Sequence, residues 1–301
     1  MTNLKQPKVS IIVLNWNGKK YLQKCLDSVF NIDYKNYEVL FVDNASTDGS
    51  VNFVKKQYQN EIKSKKLKLV LNDKDYGFAE GNNIAIRQVL KDKSVNYICL
   101  LNNDTIVDKN WLSALVNFAE KNSKIGIVGS KIYYLDQPNK INFAGGKVNL
   151  WTGSGMHIGD NELDRGQYNF PKKVDYITGA SMCIKREVFE KIGFFPEEFF
   201  CYWEDTDFSF RARKAGYELW YVPDSKIWHK VSASFNAFGA YCMYRNSVWF
   251  MKKHASLFQF FIFVIYKFIR LCGATIFGRP YLKEKWKGFL DGLFAPKPHF
   301  K

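Results

Sequence analysis

The chain has 301 residues, 47% hydrophobic and 24% charged, an ordinary globular composition with room for one large domain or one and a half. Its net charge of +15 would suit a nucleic-acid binder, but +11 of it gathers between 226 and 301, where 13 Lys/Arg face only 2 Asp/Glu. A nucleic-acid groove needs its charge spread around it. Here the charge keeps company with the greasiest stretch of the chain, which argues against nucleic acid as a partner and points to an anionic membrane surface.

The elements follow in chain order. Residues 8–15 (KVSIIVLN) read as a buried strand, and after Asn17-Gly18 a helix carries Tyr21, Leu22, Cys25, Leu26, Val29 and Phe30 on one face. A second strand is expected over 38–42, with Ser46 or Thr47 capping a helix through Val51 and Val54. A third strand covers 68–71, and the loop 72–77 leads into a helix through Ile84, Ile86 and Val89. A fourth strand covers 97–101, followed by Asn102-Asn103-Asp104 and a helix from 111 to about 120. Four alternations of strand and helix within about 120 residues predict an α/β fold with a mostly parallel sheet and right-handed crossovers.

The pattern then changes. Residues 125–170 are rich in Gly, Asn and aromatics, with no long helical run, and read as an antiparallel, acceptor-side half of the same domain. Helices return at 186–192 and 205–215, then a strand at 218–222 and a Pro223-Asp224 turn. Residues 1–235 are expected to form the catalytic domain and 236–301 a helical, membrane-associating segment. Within the latter, 257–277 is long enough to span a bilayer, which takes ~20 apolar residues, but Lys267 and Arg270 lie in its middle. Gln259, Lys267 and Arg270 fall near one face, which favours a helix lying in the interface; docking on the protein's own core is the other reading. The six cysteines form no Cys-x-x-Cys pair and several sit in apolar runs, as reduced buried thiols do. With a polar start and no signal peptide expected, the anticipated location is cytoplasmic, on the inner face of the cell membrane.

Three stretches carry the chemistry: VDNASTDG from Val42, LNND from Leu101 and YWEDTD from Tyr202. Each sets acidic or amide side chains at a strand end or a helix start, and ligands of open α/β sheets sit at the carboxyl ends of strands. Asp43 either accepts the imide N–H of uracil or thymine or caps the next helix. The glycines of DYGFAEGNN allow a backbone to approach a phosphate at a helix N-terminus, although helix packing explains their spacing equally well. Asp104 can hold a divalent ion against a diphosphate. Asp205 is the candidate general base for an acceptor hydroxyl, with Glu204 tuning it or binding acceptor. Asp207 points elsewhere and can pair with Arg211 one turn on. His229 becomes a second metal ligand if it meets Asp104.

Taken together, the residues from 8 to about 234 resemble glycosyltransferase family 2, with its GT-A-type fold, and within it the rhamnosyltransferase and galactofuranosyltransferase branches. The ordered series SIIVLNWNG, VDNASTDGS, GFAEGNN, LLNNDT, DYITGASMCIKREVFEKIGFFPEEFF, YWEDTDFSFRARKAGY and VPDSKIWHK carries this resemblance. It implies a base contact at Asp43, a Mn²⁺ or Mg²⁺ ion on Asp104 and His229, and Asp205 as the base of an inverting transfer. It also places Thr178, Gly179 and Ala180 along the sugar or acceptor site. Asn15, Asn17, Asn44, Gly77, Asn82, Asn102 and Asn103, from the same stretches, are expected to line the nucleotide sugar. Asn102 stands where the usual Asp-x-Asp has its first carboxylate, which weakens the expected metal affinity. The Gln-x-x-Arg-Trp motif and multiple spans of processive synthases are absent, which implies single transfers.

The expected donor is therefore dTDP-rhamnose or a UDP-sugar, and the acceptor a lipid-linked glycan or polysaccharide; a homo-oligomer stays compatible with the sequence. A sugar-nucleotide pyrophosphorylase would need a Gly-rich, basic loop after the first strand, where this chain has Asn15-Trp16-Asn17-Gly18. A basic nucleic-acid-binding protein is the non-enzymatic alternative, separable by a salt-sensitive DNA shift assay.

Overall fold

The computed structural model describes residues 6–231 and 236–295. Residues 232–235, where the resemblance ends and the two expected segments meet, lie outside the described residues. The first half alternates as the apolar periodicity demands: β1 (Lys8–Asn15), α1 (Lys19–Phe30), β2 (Tyr37–Asn44), α2 (Ser50–Gln57), α3 (Gln59–Lys63), β3 (Leu67–Asn72), α4 (Gly77–Val89) and β4 (Val95–Asn102). A short β5 (Thr105–Val107) precedes α5 (Trp111–Ala119) and the ten-residue β6 (Ile125–Tyr134). Then come β7 (Gln137–Phe143), the hairpin strands β8 (Gly146–Asn149) and β9 (Ser154–His157), β10 (Lys172–Lys173) and β11 (Ser181–Lys185). Helix α6 (Arg186–Ile192), a 3₁₀ turn at Glu197–Phe199, α7 (Glu204–Lys214) and β12 (Glu218–His229) follow, and α8 (Ala237–His254), α9 (Leu257–Ile276) and α10 (Leu282–Phe294) end the described chain.

Strands β4, β1, β2 and β3 lie side by side and parallel, so all four carboxyl ends open on one edge of the sheet. Strand β11 runs antiparallel between β4 and β6, and β12 is parallel to β6, so the second half of the chain extends the same sheet. The centre of the sheet is covered on both faces: Val9, Ile11, Ile12, Val13, Val39, Phe41 and Val42 are all buried, which is why β1 and β2 are continuous apolar runs rather than alternating ones.

Several expectations shift. Helix α2 starts at Ser50 after Gly49, and the carboxylate of Asp48, not Ser46 or Thr47, accepts the Ser50 N–H at 2.9 Å. Pro223-Asp224 is no turn. Proline cannot donate to a ladder and is accommodated at a bulge, and the pairing of β12 with β6 slips between Val222 and Lys226 before running on to His229.

The segment after 236 is also less separate than its composition suggested. Val248, Phe250 and Met251 of α8 form one buried cluster with Phe210 of α7, Phe263 and Leu271 of α9, and Phe289 of α10. Asp207, fully buried, receives Arg211, Lys253 and His254 at 2.7–2.9 Å, tying the end of α8 to α7. Burial opposes ionisation of Asp207, but these three partners outweigh it and hold the carboxyl at about 2.

Candidate active site

The edge formed by the ends of β1, β2 and β4 is built from amides and one carboxylate. Asn15 ends β1 and pairs in register with Asp43 on β2. Its amide donates to Asp43 at 2.8 Å and to the Ser46 hydroxyl at 3.0 Å, while its carbonyl oxygen accepts from Asn103 at 2.6 Å. Asp43 also accepts the Ser46 N–H at 2.8 Å, so it closes the 43–46 turn as well as ending the strand. Each carboxylate oxygen offers two lone pairs, so a further donor can still be met. Gly18 makes this network possible: a Cβ there would lie 2.1 Å from the Asn103 amide. Asn17 faces the same loop, accepting the Thr47 N–H at 2.8 Å.

The second group of expected donor contacts is spent on the scaffold. Asn44 donates to Asp75 and to the Gly77 carbonyl, both at 3.0 Å, and accepts from Asn72. Asn82 is buried and donates to the Phe78 carbonyl. The N-terminus of α4 is not the open anion site its glycines suggested. The Phe78 and Ala79 N–H groups both donate to the Phe200 carbonyl, at 2.7 and 3.2 Å, and Gly77 N–H donates to Asp75. Gly77 is required for a different reason: its φ is +70°, and a Cβ would sit 2.6 Å from that same carbonyl.

Strand pairing delivers the metal-type ligands. The end of β12 pairs antiparallel with β5, placing His229 opposite Thr105, one residue after Asp104. His229 Nε2 consequently lies 3.1 Å from Asp104 Oδ1 and 3.2 Å from the Asn102 amide nitrogen. His229 Nε2 and Asp104 Oδ1 thus stand side by side, and the one lone pair of Nε2 can meet either the Asn102 amide or a cation shared with Asp104. That Oδ1 is buried with no hydrogen-bond donor of its own. A buried carboxylate oxygen with no hydrogen-bond donor, set beside an imidazole nitrogen, is a fitting pair for a divalent cation. No third His, Cys, Asp or Glu joins them among the described residues, so other ligands would come from substrate or water.

Contacts lead from this pair to the candidate base. Asn102 N–H donates to the Ala180 carbonyl at 3.2 Å, and the neighbouring Gly179 N–H donates to Asp205 Oδ2 at 2.9 Å. Asp205 Oδ1 accepts from the Thr206 N–H and hydroxyl. Burial raises the Asp205 carboxyl above its ordinary value, and these donors pull it part of the way back. Glu204 is more deeply set, and burial, then the charge of Asp205, pushes it well above the carboxylate range. Its Oε2 is buried with no hydrogen-bond partner, whereas both Asp205 oxygens accept hydrogen bonds.

His157 was not anticipated. It ends β9 with Nδ1 3.2 Å from the Asn142 carbonyl, between the rings of Phe143 and Tyr176. Burial lowers its pKa, against the opposing pull of the Asp160 and Asp205 carboxylates. A glycine-rich hairpin offers no periodicity from which a site histidine could be read.

Comparison with known proteins identifies the family and the fold. The family model described as glycosyl transferase family 2 matches residues 10–193. The O-antigen biosynthesis protein RfbC of Myxococcus xanthus is 29% identical over 76% of this chain, which spans 18% of that protein's length. Among solved structures, mannosyltransferase PcManGT of Pyrobaculum calidifontis, in complex with GDP-Man and Mn²⁺, superposes with a TM-score of 0.62 at 16% identity, covering 97% of this chain and 88% of that one. S. aureus TarS 1–349 in complex with UDP-GlcNAc gives 0.60 at 19% identity, covering 97% and 82%. The fold is the GT-A type, and the mostly parallel sheet with flanking helices matches the expectation. With the model covering well over half of its residues, this chain belongs to glycosyltransferase family 2.

Proposed function

We propose that this protein transfers single sugars, with inversion, from a nucleoside-diphosphate sugar to a lipid-linked or polysaccharide acceptor in cell-surface glycan synthesis. The observation that carries the proposal is the contact path from Asp104 and His229 through Asn102 and Gly179-Ala180 to Asp205. It links a cation-type pair to a raised carboxylate through a short chain of hydrogen bonds. Asp205 takes the acceptor hydroxyl proton as that oxygen bonds to the anomeric carbon, and the bond from that carbon to the diphosphate breaks on the far side. Asp104 and His229 would hold Mn²⁺ or Mg²⁺, which neutralises charge on the departing diphosphate when bound. Asp43, Asn15 and Asn103 form the wall for the base of the nucleotide. dTDP-rhamnose and UDP-sugars both offer Asp43 an imide donor, and the GDP-Man with Mn²⁺ in one similar structure and the UDP-GlcNAc in the other support a nucleoside-diphosphate sugar as the donor.

The acceptor's origin is supported by α9. Phe258, Phe261, Ile265, Phe268, Ile269 and Ile276 fall on one face of the helix and are all exposed, while Phe263 and Leu271 on the opposite side are buried. This twenty-residue helix is long and apolar enough to cross a membrane, yet 11% of its apolar window is buried in the protein. Lys267 is on the inner side, over the Tyr244 ring at 4.9 Å, and burial pushes it down to about 8. An exposed aromatic stripe beside the basic C-terminal quarter suits a helix lying in an anionic interface on the cytoplasmic side.

The test is a panel of UDP-, GDP- and dTDP-sugars with Mn²⁺ or Mg²⁺, read by release of nucleoside diphosphate. One donor class should turn over, and Asp205→Asn should lower kcat by roughly 10²–10⁴-fold with donor binding nearly unchanged. No turnover and no thermal protection by any donor would overturn the reading.

A further inference from the structure

The residues leading into the candidate base have an unusual backbone. Phe200, Tyr202 and Trp203 have φ of 62°, 66° and 73°. Side chains with a Cβ are strained in this left-handed region and persist there only where the surroundings over-determine them. Trp203 is also the N-cap of α7 and supplies no side-chain cap, so the helix start does not fix itself.

What fixes it comes from α8. The Asn246 side chain is completely buried, and its amide nitrogen lies 2.8 Å from the carbonyl oxygens of Phe199 and Cys201 and 2.9 Å from that of Tyr202. Two amide hydrogens are thus shared across three successive carbonyl directions. Arg245 sets the orientation: its Nε donates to Asn246 Oδ1 at 3.0 Å, so the amide nitrogen must face the loop. Its Nη2 reaches the Phe199 and Glu198 carbonyls at 3.3 and 3.4 Å, and its guanidinium is braced on the rings of Trp249 and Tyr241. The remaining carbonyl of the run, that of Phe200, is the one capping α4.

We propose that Arg245 and Asn246 are positioning residues for catalysis, holding loop 198–203 so that Asp205 meets Gly179 and faces the donor space. A purely structural anchor could grip any part of the domain; this one grips the residues immediately before Glu204 and Asp205, and joins them through Phe200 to α4. The pair lies outside the span matched by the family model. The proposal rests on Asp205 acting as the base, but the hydrogen bonds it describes can be tested without turnover.

The experiment uses the full chain with Asn246→Ala, Asn246→Asp and Asn246→Gln. Hydrogen exchange is followed on peptides covering Phe78–Ala79, loop 198–206 and strands β1–β4, beside steady-state kinetics with the donor found active. In the Ala and Asp variants, exchange should quicken at Phe78–Ala79 and in the loop but not in β1–β4. kcat should fall about 10²-fold, the scale of a small misplacement of a reacting group, with donor KM within about twofold. Asp matches the shape of Asn but cannot donate, so it should be as poor as Ala, and Gln, which keeps the donor, should recover about tenfold or more of kcat. Full kcat in the Ala variant, recovery with Asp, or quickened exchange throughout β1–β4 would overturn the proposal. If the wild-type chain turns over no nucleotide sugar, the glycosyl-transfer reading fails by itself. Unchanged exchange at Phe78–Ala79 and in the loop would then still refute the clamp.

Discussion

The two sides of the cleft are held in different ways. On the donor side, Asn15, Asp43, Ser46 and Asn103 bond mainly to one another, each placed where a strand or the turn after it brings it. On the base side, a strained loop is held by side chains more than forty residues further along the chain. The first arrangement is local and follows from parallel strands ending on one edge. The second depends on packing of the C-terminal helices, so its geometry can fail while the sheet stays intact.

After loss of the base itself, the largest effect on turnover should come from the boundary between the two sides. Asp104→Ala removes the buried carboxylate beside His229 and, with it, counter-charge for the diphosphate. We expect kcat/KM to fall by roughly 10²–10³-fold, the scale of several kcal/mol of charge stabilisation, with weaker donor binding. EDTA should suppress activity and Mn²⁺ or Mg²⁺ restore it. Undiminished activity in chelator would remove the metal from this pair and leave Asp104 and His229 as an ordinary hydrogen-bonded contact.

This difference also explains what could be read from the sequence. Asp43, Asn102, Asn103 and Asp104 were legible because each follows an apolar strand, and strand ends converge in a parallel sheet. His229 was legible as a candidate, but its route was misread, because Pro223 in a strand resembles a turn unless the neighbouring strand supplies a bulge. The role of the α4 glycines was misplaced for a similar reason: nothing local reveals that the Phe200 carbonyl caps that helix. Arg245 and Asn246 were invisible as functional residues. In a helix with buried Cys242, Val248, Trp249 and Phe250, a polar pair merely interrupts the apolar pattern until its partners are known.

A smaller effect tests the other grip of α8. Asp207→Asn leaves Arg211, Lys253 and His254 gathered around a neutral amide, and breaking such a buried arrangement typically costs about 3–5 kcal/mol of stability. Donor affinity of the folded fraction should not change. The sign of the pH dependence follows from the depressed carboxyl. Its contribution is fully present above the unfolded value of about 4 and disappears as pH falls through that value toward about 2. Urea unfolding between pH 7 and 3 should therefore show the wild type and the variant converging as acid is added. Parallel curves across that range would show that Asp207 does not hold α8 to α7 by charge.

The smallest effect on turnover in solution should come from the outer face of α9. Phe261 and Phe268 are 60% and 52% exposed and two turns apart on one stripe, away from Asp205. Replacing both with serine should leave donor hydrolysis unchanged. On a membrane the expectation reverses. Burying a phenylalanine contributes about 1.5–3 kcal/mol, so losing two should weaken partitioning into anionic vesicles by at least about 10²-fold. Salt should weaken binding of the unaltered protein without abolishing it, since screening acts on the basic residues and not on the stripe. Vesicle co-sedimentation at low and high salt separates the two contributions. If the double variant binds as tightly as the wild type at both, α9 is not the contact. If the wild type ignores anionic vesicles even at low salt, the stripe covers something other than lipid, and the catalytic reading stands without a membrane.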